Sequence, residues 1–291
     1  TGCTWCHLGQ GTATAPAEDA HGSHHEMDQT VGINEPMSHG IFMQATCRNC
    51  HAEVVNLEGA PILSKGKRLF LKLGCHGCHL ADGYSDEAKV GPRLNRIASK
   101  VDPSWLYRWV KNPKEYLPKT RMPNFGFDDK DAFGVTAYLI ASSDKDYVLS
   151  EKFVFGDPKK GEKLFKTVGC LACHEIDGQG EVFGPDLSRI ANKVNADWVT
   201  TWLSNPKTYN HKSRMPNLRL SKDQADDIAS YLMMHGEVDS IPGIEKAIAN
   251  QALIDHGKKV VRTRACYACH DINGMEKEGR IGPELSAFGR K

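Results

Sequence analysis

All ten cysteines of the chain fall into five pairs spaced Cys-x-x-Cys, and each pair is followed at once by histidine: Cys3, Cys6 and His7; Cys47, Cys50 and His51; Cys75, Cys78 and His79; Cys170, Cys173 and His174; Cys266, Cys269 and His270. Two thiols at this spacing can form thioethers with the two vinyl groups of a porphyrin, while the adjacent imidazole lies beneath the ring as the proximal iron ligand. A tetrahedral zinc site would need its pairs coupled two by two, and five is odd. A thioredoxin-like redox pair would need a βαβ setting, and none of the motifs follows a strand pattern. The residues therefore predict five covalently attached c-type haems, with iron rather than side chains carrying the chemistry.

The elements that must position these motifs repeat along the chain. "SKGKRLFLKLGCHGCH" from Ser64, "PKKGEKLFKTVGCLACH" from Pro158 and "DHGKKVVRTRACYACH" from Asp255 align, with haem cysteines 95 and 96 residues apart. A Gly-Pro pair follows each motif, at Gly91-Pro92, Gly184-Pro185 and Gly282-Pro283. The first two copies continue in parallel as "WLYRWVKNPKEYLPKTRMPNF" from Trp105 and "WVTTWLSNPKTYNHKSRMPNL" from Trp198. Helix signals recur in register. Asp157 caps a helix with Pro158 at its first position and Gly169 past its end, and Ser64 and Gly74 bracket the equivalent segment. A second helix starts at Asp102-Pro103 or Asn195 and stops before Pro113 or Pro206. A third runs from Asp128 to Ile140, or from Ser221, with Gln224 completing a capping box, to Gly236. No stretch shows sustained alternation, so the fold class is all-α.

These repeats resemble class I cytochrome c domains: residues 61–150 and 151–240 look like two such domains in tandem, and 241–291 like the first half of a third. The resemblance implies a few helices around one haem, with the helix before the haem motif crossing the last helix of the domain. The family's glycine and aromatic contact at that crossing maps onto Gly66 and Phe70 with Tyr138, and onto Gly161 and Phe165 with Tyr231; the third copy has Gly257 but Val261 in the aromatic position. Met122 in "TRMPNF" and Met215 in "SRMPNL" are the candidate distal ligands, 43 and 41 residues after His79 and His174. The resemblance also implies that the carbonyls of Pro92, Pro185 and Pro283 accept the proximal imidazole N–H and so orient the ligand. Trp105, Trp109, Trp198 and Trp202 recur four residues apart on one helical face and read as packing residues.

Residues 1–60 form a small irregular dihaem segment. Its motifs stand only 44 residues apart, and no "RMP" follows either one. The spacer holds His21, His24, His25 and His39, which suggests bis-His iron as in small multihaem cytochromes, with His39 serving the second haem and His24 or His25 the first. A surface metal site at "HGSHHEMD" is the competing use of those histidines.

The net charge of +1 gives no electrostatic case for nucleic acid, and no run of eighteen apolar residues appears. The expected function is a pentahaem electron conduit whose partners are other redox proteins or subunits of a membrane-bound respiratory complex, with any membrane association made through partners or a missing terminus. Two alternatives stand beside it. One is a multihaem oxidoreductase or peroxidase with an open fifth haem, since Met275 is the only methionine after His270 and precedes Gly282-Pro283. The other is a subunit of an extracellular haem filament. The third copy's ending at Lys291 has three readings: a longer chain, completion by a partner, or an open fifth iron. The resemblance implies a periplasmic or extracytoplasmic location, where haem attachment of this kind occurs.

About 58 residues serve each motif, so the porphyrins must supply much of the buried apolar surface. Chain made without haem attachment is expected to be largely unfolded by circular dichroism; a cooperative native-like helical melt would contradict that.

Overall fold

The computed structural model describes residues 40–51, 53–84, 89–237, 240–278 and 281–286. The motif at Cys3, Cys6 and His7 and the candidate ligands His24, His25 and His39 lie outside the described residues.

Among the described residues there are seven longer helices, and five begin at the caps the sequence names; the first is corrected, because it starts three residues before Ser64, whose hydroxyl bonds Leu57 from within the helix. Helix α1 (Pro61–Leu73) starts on proline and ends at Gly74, whose φ of 75° reverses the chain. Helix α2 (Pro103–Lys111) is capped by Asp102, whose carboxylate accepts the Ser104 and Trp105 amides at 2.8 and 3.2 Å. Helix α3 (Asp129–Ala141) is capped by Asp128 and α4 (Pro158–Thr167) by Asp157. Asn195 caps α5 (Ala196–Ser204), and Ser221 with Gln224 forms the capping box of α6 (Lys222–Leu232). The third copy's helix, α7 (Gln251–Thr263), is capped by Asn250. Each such cap contributes about 1 kcal/mol. As expected, α2 and α5 stop before Pro113 and Pro206, where Asn112 and Asn205 leave helical geometry; each proline then starts a separate one-turn helix, Pro113–Tyr116 and Pro206–Tyr209, because proline at the first helical position sacrifices no hydrogen bond. The strands among the described residues are one two-residue pair, Glu175–Ile176 with Gln179–Gly180, so the fold is all-α.

The chain divides into two compact units that do not follow the expected boundaries at 61–150, 151–240 and 241–291. The first comprises residues 1–90 with 279–291, and the second residues 91–278. The first copy is thus cut just before Gly91-Pro92, and the third just before Gly282-Pro283.

In the second unit two helix crossings carry the packing. Helix α4 crosses α6, with Gly161 flush against the backbone of Asp227 and Phe165 fully buried 5.6 Å from the Tyr231 ring. Helix α7 crosses α3 in the same way. Gly257 lies on the Gly134 carbonyl, and Val261 is 0% exposed in the aromatic position. Tyr138 Oη donates to the Asn273 carbonyl at 3.0 Å, and His256 Nε2 meets Asp131 Oδ1 at 2.7 Å. The expected pairing of Gly66 and Phe70 with Tyr138 is therefore corrected: the third copy's helix completes the first copy's last helix. Two glycines face each other at this crossing, which brings the backbones close enough that valine fills the space an aromatic ring takes at the other.

In the first unit no atom of the described residues lies within 4 Å of where a Cβ on Gly66 would stand, and Phe70 packs against Tyr84 at 4.7 Å. Lys67 of α1 is 5% exposed, and its ammonium donates to the His51 carbonyl and, at 2.8 Å, to that of Val54. This ties the helix to the chain after the second motif, and desolvation followed by the nearby Arg48 pulls the lysine pKa down.

Alanine substitution separates the two pairings. Gly257→Ala and Gly161→Ala each drive a methyl into a backbone carbonyl and are expected to destabilise by about 1–3 kcal/mol, read as a lower Tm. Gly66→Ala meets nothing among the described residues and is expected to be neutral or stabilising by up to about 1 kcal/mol. A large loss at Gly66 with none at Gly257 would reverse the assignment.

Candidate metal centres

Each described motif sits on a tight turn at a helix end. Cys47–Asn49, Cys75–Gly77 and Cys170–Ala172 form 3-10 turns, and Cys266–Cys269 forms one α turn. The residue before the last three motifs lies in the left-handed region: Gly74 at φ 75°, Gly169 at 95° and Ala265 at 53°. Only Ala265 bears strain there, since it has a Cβ where the other copies have none. Burial pushes the Cys266 thiol up to about 11 and raises that of Cys170 as well. Both shifts oppose the thiolate chemistry a redox dithiol needs.

The three Gly-Pro pairs all reach a proximal imidazole, but with an exchange. His174 Nδ1 lies 2.8 Å from the Pro185 carbonyl, within its own copy. His270 Nδ1 lies 2.8 Å from the carbonyl of Pro92, and His79 Nδ1 lies 2.9 Å from that of Pro283. Sequence order, which pairs His79 with Pro92 and His270 with Pro283, is corrected on this point. A carbonyl can only accept, so each of these imidazoles carries its proton on Nδ1 and keeps its lone pair on Nε2, the tautomer a metal ligand requires.

Flanking backbone bonds repeat the same module three times. Gly184 N–H donates to the Cys173 carbonyl at 2.5 Å and Leu187 to Glu175 at 2.8 Å; Gly91 donates to Cys269 and Leu94 to Asp271, both at 2.8 Å; Gly282 donates to Cys78 at 2.7 Å and Leu285 to Leu80 at 2.8 Å. The glycine of each pair is a functional residue that sequence reasoning passed over. A Cβ on Gly184 would stand 2.6 Å from the His174 ring, and one on Gly282 would stand 2.5 Å from His79 Nδ1; Gly91 has the same relation to His270. Its recurrence before all three prolines was the signal.

Both methionines occupy equivalent places. Trp109 Nε1 donates to Met122 Sδ at 3.0 Å, and Trp202 Nε1 donates to Met215 Sδ at 3.0 Å. Trp109 stacks on Trp105 at 5.3 Å and Trp202 on Trp198 at 5.0 Å. Met215, Trp202 and Cys170 line one apolar cluster. Cys266, Tyr267 and Trp109 line the other, which joins residues of α2, α3 and α7. Met275 is 2% exposed inside that second cluster, as a packing residue.

The residues fit a porphyrin. Trp105 and Trp198 are 8% and 7% exposed, yet their Nε1 atoms have no acceptor among the described residues. A cavity of 180 Å³ borders Trp105, Trp109, Tyr116 and Arg189. Paired cysteines can attach a porphyrin through its vinyl groups, and an Nδ1-protonated histidine and a methionine thioether are donors suited to a low-spin haem iron. His51 is exposed, and no group of three or more His, Cys, Asp or Glu side chains forms a metal cluster among the described residues.

Comparison with known proteins agrees with this geometry. The cytochrome c family model matches residues 63–142 and 158–235, more than half of the chain. It runs along the sequence through the first copy, where space joins that copy's second half to the third. The chain is 28% identical over 142 residues to CcoP, a subunit of the Cbb3-type cytochrome c oxidase of Helicobacter pylori strain 52, covering 46% of this chain and 45% of that protein. It is 24% identical over 87 residues to a nitric oxide reductase subunit of Stutzerimonas stutzeri, covering 28% of this chain and 60% of that one. Cytochrome c of Stellaria longipes is 33% identical over 102 residues, 28% of this chain and 94% of the plant protein. The chain thus spans less than half the length of CcoP. No solved structure matches it. With the repeated motif, the oriented imidazoles and the family match together, the chain belongs to the cytochrome c family: it is a multihaem c-type cytochrome that carries covalently bound haem c and transfers electrons.

Proposed function

We propose that the chain is a pentahaem electron conduit, attached to its haems through Cys3, Cys6, Cys47, Cys50, Cys75, Cys78, Cys170, Cys173, Cys266 and Cys269. The haems supply irons that change oxidation state one electron at a time. The protein's task is to orient each imidazole, place or withhold a thioether, and exclude water. In the second unit His174 is the proximal ligand partnered by Met215, and His270 is the proximal ligand partnered by Met122. The observation that carries this is the exchanged bond from His270 Nδ1 to the Pro92 carbonyl, which sets the fifth motif in the same arrangement as the continuous copy around His174.

Two consequences follow for the potentials. A thioether raises the reduction potential relative to a second imidazole, so the haems of His174 and His270 form a high-potential pair. The haem of His79 groups with that of His51 in the first unit. On this reading the fifth iron is closed by Met122, which stands in the composite domain that holds His270.

The matches to proteins named as parts of an oxidase and a nitric oxide reductase support a role as the cytochrome subunit of a respiratory complex. Such a subunit would work on the extracytoplasmic side, with redox subunits as donor and acceptor. No helix among the described residues is long and apolar enough to cross a membrane, and attachment through partners fits that role.

Intact mass should exceed that of the polypeptide by five haems. In the reduced protein, nuclear magnetic resonance should show two iron-bound methionine methyl signals at high field. Cys266→Ala with Cys269→Ala is expected to remove one of them, and Cys75→Ala with Cys78→Ala neither. Retention of both signals after loss of the Cys266 haem, with loss of one after removing the Cys75 haem, would return Met122 to His79.

A further inference from the structure

In each domain of the second unit, the residue three positions past the proximal histidine meets the residue four positions past the tyrosine of the last helix. The chemistry of that meeting differs. In the composite domain the two residues are Asn273 and Ser142. Asn273 Nδ2 donates to the Ser142 carbonyl at 2.9 Å, and its Oδ1 accepts from Asn95. None of these side chains titrates. In the continuous domain the two residues are Asp177 and His235, and His235 Nε2 lies 3.3 Å from Asp177 Oδ2. An ionisable pair therefore stands where its counterpart is neutral.

The two ring nitrogens of His235 decide its charge. Nδ1 lies 3.0 Å from the Tyr231 carbonyl, which can only accept. Nε2 faces a carboxylate oxygen, which when ionised also only accepts. A neutral imidazole has one N–H and satisfies one of them, leaving a lone pair turned on the other oxygen; the imidazolium satisfies both. His174 is different, because its Nδ1 meets a carbonyl and its Nε2 is left for a metal. The His235 side chain is 15% exposed and lies edge-on against the Tyr231 ring at 4.6 Å. From α4, Glu162 faces it as well, its carboxyl held below the usual range first by Lys166 and in smaller part by His235. Lys166 pairs with that Glu162 at 2.6 Å. The turn Ile190–Asn192 gives the Ala191 amide to the His235 carbonyl at 3.0 Å and adds no titratable side chain.

Asp177 belongs to the loop that leaves the proximal ligand. Its amide donates to Ser188 Oγ at 2.8 Å, and the same loop carries Pro185, whose carbonyl orients His174. Charge added at a metal held by His174 thus acts on a cation tied to that loop and largely shielded from solvent, where screening is weak.

We infer that His235 and Asp177 form a proton-binding site coupled to the electron at the His174 haem. An electron arriving from a redox donor is accompanied by uptake of a proton from a solvent acid, which forms the Nε2–H bond of His235; loss of the electron returns the proton to solvent. The inference rests on the haem attachment proposed above for Cys170 and Cys173. Coupling of this kind is reciprocal: reduction raises the affinity for the proton by the factor by which the proton favours reduction. The composite domain, with Asn273 and Ser142 in these places, has no such site there.

The test uses the haem-loaded full chain. The potential of the His174 haem, followed through the Met215 methyl signal, is expected to fall as pH rises through about 5 to 8, where imidazole changes charge. Its oxidised-to-reduced ratio at a fixed applied potential should change about tenfold across that range. His235→Gln should hold this haem at the parent's alkaline value at every pH, and His235→Lys near its acid value, with the His270 haem unmoved in both. Asp177→Asn should shift the step to lower pH, since it removes the carboxylate that favours the imidazolium. The His235 ring-proton signals, identified by their absence from the His235→Gln spectrum, should titrate at higher pH in the reduced parent than in the oxidised one. A potential independent of pH in the parent, a step that survives in His235→Gln, or ring signals that titrate at the same pH in both oxidation states would overturn the inference. The ring titration reads the coupling whatever the sixth ligand is, so absence of the Met215 signal would count against the ligation alone.

Discussion

The constraint on which this structure depends is the close approach of two helix backbones at a glycine. A class I haem domain closes when the helix before its motif lies against its last helix, and only a residue without Cβ allows the contact. Gly161 meets Asp227 in the continuous copy, whereas Gly257 meets Gly134 in the composite one. The double glycine draws α7 and α3 together, and Val261 at 0% exposure fills what remains. Once that crossing is made, the loop carrying Gly91-Pro92 lies beside Cys269 and His270, and the orientation of the proximal ligand follows from one carbonyl.

Most of the local structure was legible in the sequence. Asp102, Asp128, Asp157, Asn195 and Ser221 each cap the helix their position predicts, because capping is decided within four residues and needs no knowledge of the rest of the chain. The role of proline in holding an imidazole was legible too, since the pair recurs after every copy. The partners were not. Repeats that share an interface can satisfy it within a copy or between copies, and the local contacts are the same either way, as in a domain swap. The discriminating signal was small: Gly134 stands inside a helix, where glycine costs about 1 kcal/mol relative to alanine, with no local reason to be there. Its reason is Gly257, more than a hundred residues away.

The exchange changes what the order of motifs means. Along the chain they run Cys47, Cys75, Cys170, Cys266, a series that suggests one electron passing from each to the next. In space the motifs at Cys170 and Cys266 share a unit with both Met-Pro loops, and those at Cys47 and Cys75 share the other. With the ligation proposed above, chemistry divides as the units do, because Met122 and Met215 both belong to one of them.

The likeness of the two domains in the second unit bears on how that pair works. Two identical domains would present identical sites, and two sites of equal potential exchange electrons without direction. Departures from that likeness therefore carry the bias. The crossing glycine rests on Gly134 in one copy and Asp227 in the other, the aromatic position holds Val261 or Phe165, and the motif follows Ala265 or Gly169. The composite copy turns into its motif at greater strain. The continuous copy keeps an aromatic pair, Phe165 on Tyr231, and a hairpin after His174. Differences of this kind alter burial and hydrogen bonding around an iron without changing its ligands, and those are the terms by which a protein sets one haem above another.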